Sequence, residues 1–286
     1  MKATSKTLYL FLLGLGAFAS TILAQSPGAF TATGSMTTAR GGHSATLLTN
    51  GKVLIAGGAQ WSSTASVPLA SAELYDLSTG SFTTTGSMTT ARSGHRATLL
   101  PNGKVLITGG GSGVSNTGTL DSAEVYDPST GAFTATGKMT TARHFHTATL
   151  LNSGKVLIAG GSRALGSAEL YDLSTGTFAA TGSMTQGEWA VTTATLLNNG
   201  VVLIAGAGDS DVRTAELYDP ATGTFGPAGN GTYGYPVPLT STLLTNAQVL
   251  DTLQNSCDNK TSFPKCSCSD SFLTAIVVAL VRGDYE

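Results

Sequence analysis

Charged residues are scarce in this 286-residue sequence. Only 11% of its residues are Asp, Glu, Lys or Arg, and the formal net charge is −2. A polyanionic partner is bound by clustered basic residues, so the composition argues against nucleic acid and against an anionic membrane surface as partners. Cysteine is rarer still. The three cysteines lack the paired spacing of a zinc site and allow at most one internal disulfide: Cys257, Cys266 and Cys268.

Long apolar runs are missing except at the N-terminus. There Lys2 and Lys6 precede an apolar stretch that starts at Leu8, and small residues follow it as far as Ala24. This order is typical of a secretory signal peptide, here residues 1–24, with a retained anchor as the alternative. Elsewhere no run reaches the roughly 18 apolar residues of a membrane span. The sequence therefore predicts a secreted or periplasmic protein with no membrane span in its mature chain.

Glycine is abundant, with 36 residues, and much of it lies in a tandem repeat. Segments aligned on a shared position recur every 46 to 52 residues, and the aligned residues are His43, His95, His146, Thr192 and Leu239. A full repeat holds an apolar run that ends in a glycine pair, a segment such as SAELYD, and a Phe seven residues after its Tyr. Asn-Gly turns between the short runs indicate hairpins. Four strands per repeat predict a β-propeller.

These features resemble the kelch family, which includes the propeller of galactose oxidase. The glycine pairs, the Tyr, the second aromatic residue and the Met before the next repeat carry the resemblance, although Phe replaces the usual Trp and the fourth repeat has Gly206–Ala207. The resemblance implies an all-β, kelch-type β-propeller of four-stranded antiparallel blades, with four clear blades and a partial fifth. We place the propeller repeats at residues 25–250 and a non-repeat, cysteine-containing tail at 251–286.

Residues that recur once in each repeat are interpreted as scaffold. A catalytic group needs one asymmetric setting, whereas stacked repeats place such a residue at several equivalent points. The arginines are expected to bridge blades by pairing with Glu73, Glu124, Glu169 or Glu216. The predicted scaffold residues are Arg40, His43, Gly57, Gly58, Arg92, His95, Gly109, Gly110, Arg143, His146, Gly160 and Gly161.

Ligand binding is predicted on one face of the propeller. In kelch-like blades the first strand is innermost, so the links between strands two and three emerge beside the links between blades. The links between strands two and three vary most among the repeats, and variable loops on a constant scaffold commonly carry ligand recognition. The predicted face residues are Trp61, Arg163, Trp189 and Asp209. For Trp61, a ring folded back over its own blade is an equal alternative.

No catalytic residue, metal or cofactor is predicted. His144 and His146 have the spacing of neighbours on one side of a strand, but the sequence offers no third ligand beyond the scaffold histidines. We therefore expect a non-catalytic module that binds a protein or a glycan. The alternatives are an oxidase-like enzyme of the galactose oxidase type and a truncated array with no independent function.

Closure of the ring is the last expectation. The segment Pro27–Met36 matches the fourth-strand runs but follows no first three strands, as a strand lent to the last blade would. The repeat pattern disappears near Asp251, which predicts an open or poorly sealed ring. In the alternative, a compact five-bladed ring, Phe272–Val281 supplies the missing strand.

Overall fold

The computed structural model describes residues 32–62, 65–113, 118–161, 166–185, 188–208 and 213–228, and the strands at 238–243, 249–253 and 276–279. The chain divides into the units Met1–Thr33 and Gly34–Glu286, and the second contains every described strand. All regular elements in these ranges are β-strands, which confirms the all-β prediction. In the same ranges we find no helix with the length and hydrophobicity of a membrane span. The predicted signal peptide lies outside them.

The first sheet carries a small hairpin between its second and third strands. In chain order these strands are β1 (Ser44–Leu47), β2 (Val53–Ala56), β3 (Ala59–Trp61), β4 (Ser66–Pro68), β5 (Ala72–Asp76) and β6 (Ser81–Thr84). Strands β1, β2, β5 and β6 pair antiparallel in that order, while β3 pairs with β4.

The next three sheets repeat this plan without a described hairpin. The second comprises β7 (Arg96–Leu99), β8 (Val105–Thr108), β9 (Ala123–Asp127) and β10 (Ala132–Ala135). The third comprises β11 (Thr147–Leu150), β12 (Val156–Ala159), β13 (Ala168–Asp172) and β14 (Thr177–Ala180). The fourth comprises β15 (Glu188–Leu196), β16 (Val202–Gly208), β17 (Arg213–Asp219) and β18 (Thr224–Pro227). First strands of neighbouring sheets contact one another, so they form the inner side of the array.

The fifth sheet has three described strands: β19 (Pro238–Leu243), β20 (Val249–Leu253) and β21 (Ile276–Ala279). Strand β21 pairs antiparallel with β20, from Val249 opposite Ala279 to Thr252 opposite Ile276. The predicted boundary between the repeats and the tail, at residue 250, thus falls inside β20. The apolar run of the predicted tail forms β21, which pairs with the edge of β20. Strand β21 lies within Phe272–Val281, the segment that the five-bladed alternative expects to form a strand. Residues 27–31 of the orphan segment lie outside the description, so closure stays a prediction.

The core lies between neighbouring sheets, where the Val-Leu-Ile runs of the second strands are buried. In each of the first four sheets the third strand adds a Tyr that packs on the Phe of the fourth strand, as in Tyr126 and Phe133, whose ring centroids are 4.7 Å apart. The Tyr126 hydroxyl is 3.0 Å from Oγ1 of Thr85, which directly follows β6 of the preceding sheet. The SAELYD tyrosines therefore join apolar packing within a blade to a hydrogen bond between blades.

Candidate functional site

The repeated arginines join neighbouring sheets. The backbone of Arg92 bonds to the first sheet, donating to the Leu69 carbonyl at 3.1 Å and accepting from the Gly58 N–H at 2.9 Å. Its buried guanidinium donates to the second sheet, at 2.7 Å to the Gly109 carbonyl and at 2.8 Å to Glu124 Oε1. The side chains of Arg40 and Arg143 repeat this arrangement with Glu73 and Glu169.

The partner carboxylates also cap the segments between blades. Glu124 accepts the backbone N–H groups of Thr89 at 2.7 Å and Thr90 at 3.2 Å. At the equivalent Glu73, burial raises the pKa of the carboxyl group. Hydrogen bonds from Thr37, Thr38 and Arg40 lower it by more, so the pKa of Glu73 lies below its usual value. The Glu73 carboxylate is therefore held ionised inside the scaffold.

The fourth repeat departs from this arrangement. Trp189 stands where the other repeats have arginine, and Glu216 accepts instead from the Thr185 backbone N–H at 3.0 Å and the Thr185 hydroxyl at 3.0 Å. Trp189 lies in β15 opposite Ala207, and only its backbone is described.

The glycine pairs lie where the second strand of one blade meets the arginine of the next. The first glycine donates to the residue that precedes the third strand, and the second donates to the arginine carbonyl, as Gly110 does to Arg143 at 3.0 Å. A side chain at Gly109 would overlap that same carbonyl. Equivalent close approaches to neighbouring backbone carbonyls are found at Gly57, Gly58 and Gly161. Gly160 donates to Ser167 at 3.4 Å.

Two of the four histidines are buried between blades. His95 Nε2 lies 2.9 Å from the Ser44 hydroxyl, and His146 Nε2 lies 2.8 Å from the Thr108 hydroxyl. Burial, with the nearby Arg92 and Arg96 cations, lowers the pKa of His95 to about 3, so its ring is neutral at physiological pH. Burial likewise lowers the pKa of His146 well below its usual value.

The other two histidines lie nearer the surface. His43 is exposed, and His144 is half-buried with Nδ1 3.3 Å from the Thr119 hydroxyl. His144 and His146 thus contact different hydroxyls. Within the described ranges no group of three or more His, Cys, Asp or Glu side chains is arranged to hold a metal ion.

Trp61 is the one predicted face residue whose side chain the structure describes, since Arg163 and Asp209 lie outside its ranges. Trp61 ends β3 and is 71% exposed. Its indole lies on Gly41, where a Cβ would come within 2.6 Å of Nε1. Gly41 precedes β1 and exchanges backbone hydrogen bonds of 2.9 and 2.8 Å with Ala59. In the first blade, the hairpin between strands two and three therefore packs on the segment that leads into the blade.

A chain of backbone hydrogen bonds extends from this point across three blades. The Gly94 N–H donates to the Gly42 carbonyl at 3.0 Å, and the Phe145 N–H donates to the Gly94 carbonyl at 2.9 Å. The three equivalent residues have positive φ angles of 65°, 62° and 54° respectively. Gly42 and Phe145 are therefore linked through Gly94 by two backbone hydrogen bonds.

Phe145 is the one described residue other than glycine with a positive φ. This left-handed conformation costs an L-residue about 1–2 kcal/mol. Its ring covers Gly94, where a Cβ would lie 2.8 Å from Cε1, and its centroid is 5.0 Å from that of the His144 ring. Retained backbone strain is concentrated at functional positions. We call the group of Trp61, Gly41, Gly42, Gly94, Phe145 and His144 the aromatic strip; Gly94, in its middle, is buried beneath the Phe145 ring.

The strain at Phe145 gives a direct prediction. We expect Phe145→Gly to be more stable than Phe145→Ala by about 1 kcal/mol, since only glycine relieves the left-handed conformation. At Phe133, in β10 with an ordinary strand conformation, the order should reverse, because glycine weakens a strand interior. Urea unfolding of the four variants provides the measurement. Equal midpoints for the two Phe145 variants would contradict the assigned strain.

Sequence reasoning passed over Phe145 and considered HFH only as a pair of histidines. The available signal was the loss of glycine at a position that is glycine in both preceding repeats, at Gly42 and Gly94. A departure from the repeat, rather than a match to it, marks this residue.

Comparisons with known proteins agree with the architecture. Residues 92–140 match the family model described as the Kelch motif. No curated protein sequence matches the chain. Among solved structures, YjhT superposes with a TM-score of 0.61 at 15% identity, over 76% of this chain and 78% of that one. A fungal alcohol oxidase of the AA5 family, in complex with copper, gives a TM-score of 0.45 at 18% identity, over 74% of this chain and 58% of the oxidase.

Proposed function

We propose that this kelch-type β-propeller is an exported, non-catalytic module that binds a glycan along the aromatic strip. The observation that carries the proposal is the pair of aromatic rings seated on a glycine backbone, an exposed one at Trp61 and a strained one at Phe145. Aromatic rings bury large areas against flat apolar surfaces such as the faces of sugar rings. The exposed backbone of Gly42 leaves space for a ligand close to the chain.

The polar groups of the strip suit hydroxyl recognition. The half-buried His144 imidazole can donate or accept a hydrogen bond, and its contact with Thr119 restrains the ring. The strip itself contains no Asp, Glu, Lys or Arg side chain. Rigid aromatic groups together with a few restrained polar groups are the usual composition of a small-molecule site.

A binding role fits the way the titratable residues of the scaffold are used. The buried arginines of the first three repeats are bonded to glutamates, and His95 and His146 are contacted by hydroxyls from neighbouring strands. These side chains thus connect blades. Export is proposed from the N-terminal lysines and apolar run, and Gln25 as the first residue of protein recovered outside the cytoplasm would support it.

The test is a glycan-binding screen with the mature protein, followed by calorimetry on the best ligand. Trp61→Ala should weaken binding about tenfold or more, the effect of removing a central aromatic contact. Leu77→Ala is the matched control, because Leu77 is 62% exposed in the turn after β5, outside the strip. Equal affinity of wild type and Trp61→Ala for the glycan would reject the strip as the binding surface.

Other outcomes would replace the proposal. Specific capture of a peptide by the wild-type protein, lost in Trp61→Ala, would identify a protein ligand at the same surface. Stoichiometric copper together with oxidation of a primary alcohol would establish the oxidase alternative. Binding of neither glycan nor peptide, with no turnover, would favour a truncated array without independent function.

A further inference from the structure

Arg96 breaks the repeat beside the aromatic strip. The residue after the aligned histidine position is Ser44, Thr147 and Thr193 in the first, third and fourth repeats, and Arg96 in the second. At this position, on the innermost strand β7, the second repeat thus has a guanidinium where the other repeats have a small hydroxyl side chain. Because the other described blades form without a cation here, the scaffold does not require one.

A second substitution compensates for the first. In the first blade the Ser44 hydroxyl contacts the buried His95 of the next blade. Arg96 cannot supply that hydroxyl to His146, and Thr108, its partner across the β7–β8 pair, does so at 2.8 Å. The equivalent of Thr108 is alanine in the other three blades, at Ala56, Ala159 and Ala205. The paired change preserves the hydroxyl contact of the buried histidine without the side chain of residue 96.

The guanidinium of Arg96 differs from those of the scaffold arginines. Arg40, Arg92 and Arg143 each form a 2.8 Å salt bridge with a buried glutamate. Arg96 is half-buried, donates its Nε–H to the His146 carbonyl, and forms no salt bridge with any carboxylate of the described residues. A partly desolvated cation without a counterion attracts an anion.

Arg96 lies next to the strip. It follows Gly94 by two residues, and the carbonyl that it contacts belongs to the residue after Phe145. We infer that the aromatic strip selects ligands bearing a carboxylate, such as acidic sugars. Arg96 binds this carboxylate with its two terminal guanidinium nitrogens, which form no hydrogen bond with the residues that the structure describes. The inference rests on the proposed function, since the strip supplies the rest of the contact.

The test compares D-glucuronate with D-glucose, which differ in one carboxylate, by calorimetry or ligand-observed NMR. Wild-type protein should prefer glucuronate by about tenfold or more, since a charge-assisted, forked contact is involved. Arg96→Thr, which restores the residue of the third and fourth blades, should abolish the preference while retaining glucose binding. Arg96→Lys should retain only part of it, because lysine lacks the planar fork.

Stability separates a ligand contact from a structural role. Arg96→Thr should lower the urea midpoint little, because the half-buried cation that it removes forms no salt bridge with the described residues, whereas Arg92→Thr, at a scaffold arginine, should lower it markedly. A glucuronate preference that persists in Arg96→Thr, or equal losses for both sugars, would overturn the inference. If Arg96→Thr loses glucuronate binding and Trp61→Ala does not, the anion site at Arg96 is supported and the aromatic strip is rejected as the binding surface. Wild-type protein that binds neither sugar would reject both.

Discussion

Replacing Arg92 with methionine is expected to lower the free energy of unfolding by about 3–5 kcal/mol, the cost of breaking a buried ion pair. Both side chains of the pair with Glu124 are almost fully buried, at 0% and 1% exposure. The substitution leaves the carboxylate without its cation in a medium that solvates it poorly. It also removes the donor that the Gly109 and Ser122 carbonyls share.

The exposed pair of Lys104 and Asp127 in the same blade is the matched control. Its Nζ–Oδ2 distance is 2.9 Å, close to that of the buried pair, but its side chains are 43% and 27% exposed. Lys104→Met should therefore cost less than about 1 kcal/mol. Urea unfolding followed by circular dichroism measures both variants. Similar losses would show that burial does not determine the strength of the scaffold pairs.

The double variant Arg92→Met with Glu124→Met tests the cause. If the loss comes from an isolated buried carboxylate, removing that carboxylate should recover part of the stability. Recovery should be incomplete, because the backbone N–H groups of Thr89 and Thr90 then lose their acceptor.

Repetition explains how much of the fold the sequence could predict. The Val-Leu-Ile run, the glycine pair and the SAELYD segment recur in order, and each recurrence fixes the same hairpin turns and apolar faces. The all-β propeller of four blades and a partial fifth followed from this pattern and is confirmed. Arginine and glutamate could be paired in advance for the same reason, since both recur at nearly constant spacing.

Contacts between residues of different repeats could not be predicted in this way. The hydrogen bond from Phe145 to Gly94 joins residues far apart in the chain, and the sequence shows only a missing glycine. In the second blade the hydroxyl that contacts the histidine comes from Thr108, opposite Arg96, and not from residue 96 itself. This change depends on the cross-strand register, which the sequence leaves open. Strand β21 follows a segment with no recognisable pattern, so its pairing with β20 required the structure.

Mild acid is expected to destabilise the protein through its buried histidines. Burial, assisted by the Arg92 and Arg96 cations, lowers the pKa of His95 to about 3, and burial lowers the pKa of His146 in the same direction. In the unfolded chain a histidine takes up a proton near its ordinary pKa of about 6.5. Between these values the unfolded state binds more protons than the folded state. The stabilisation is therefore complete above about pH 6.5 and is lost as the pH falls.

The expected slope is about 1.4 kcal/mol per pH unit for each buried histidine. Carboxylates contribute at lower pH: hydrogen bonds from Ser78 and Ser174 lower the pKa values of Asp76 and Asp172 to about 2, so their stabilisation is lost below about pH 4. Measurements between about pH 6.5 and 4.5 thus isolate the histidine effect.

Urea unfolding at several pH values in this range should show a steep decline for the wild-type protein. His95→Gln should remove about half of the slope, and His95→Gln combined with His146→Gln should remove most of it, because glutamine does not titrate there. Absolute stability at neutral pH will also fall, since the His95 ring packs against Gly57 and contacts Ser44, so the slope is the diagnostic quantity. His43→Gln controls for the substitution itself at an exposed position. A wild-type slope that survives in the double variant would place the acid-sensitive groups elsewhere in the chain.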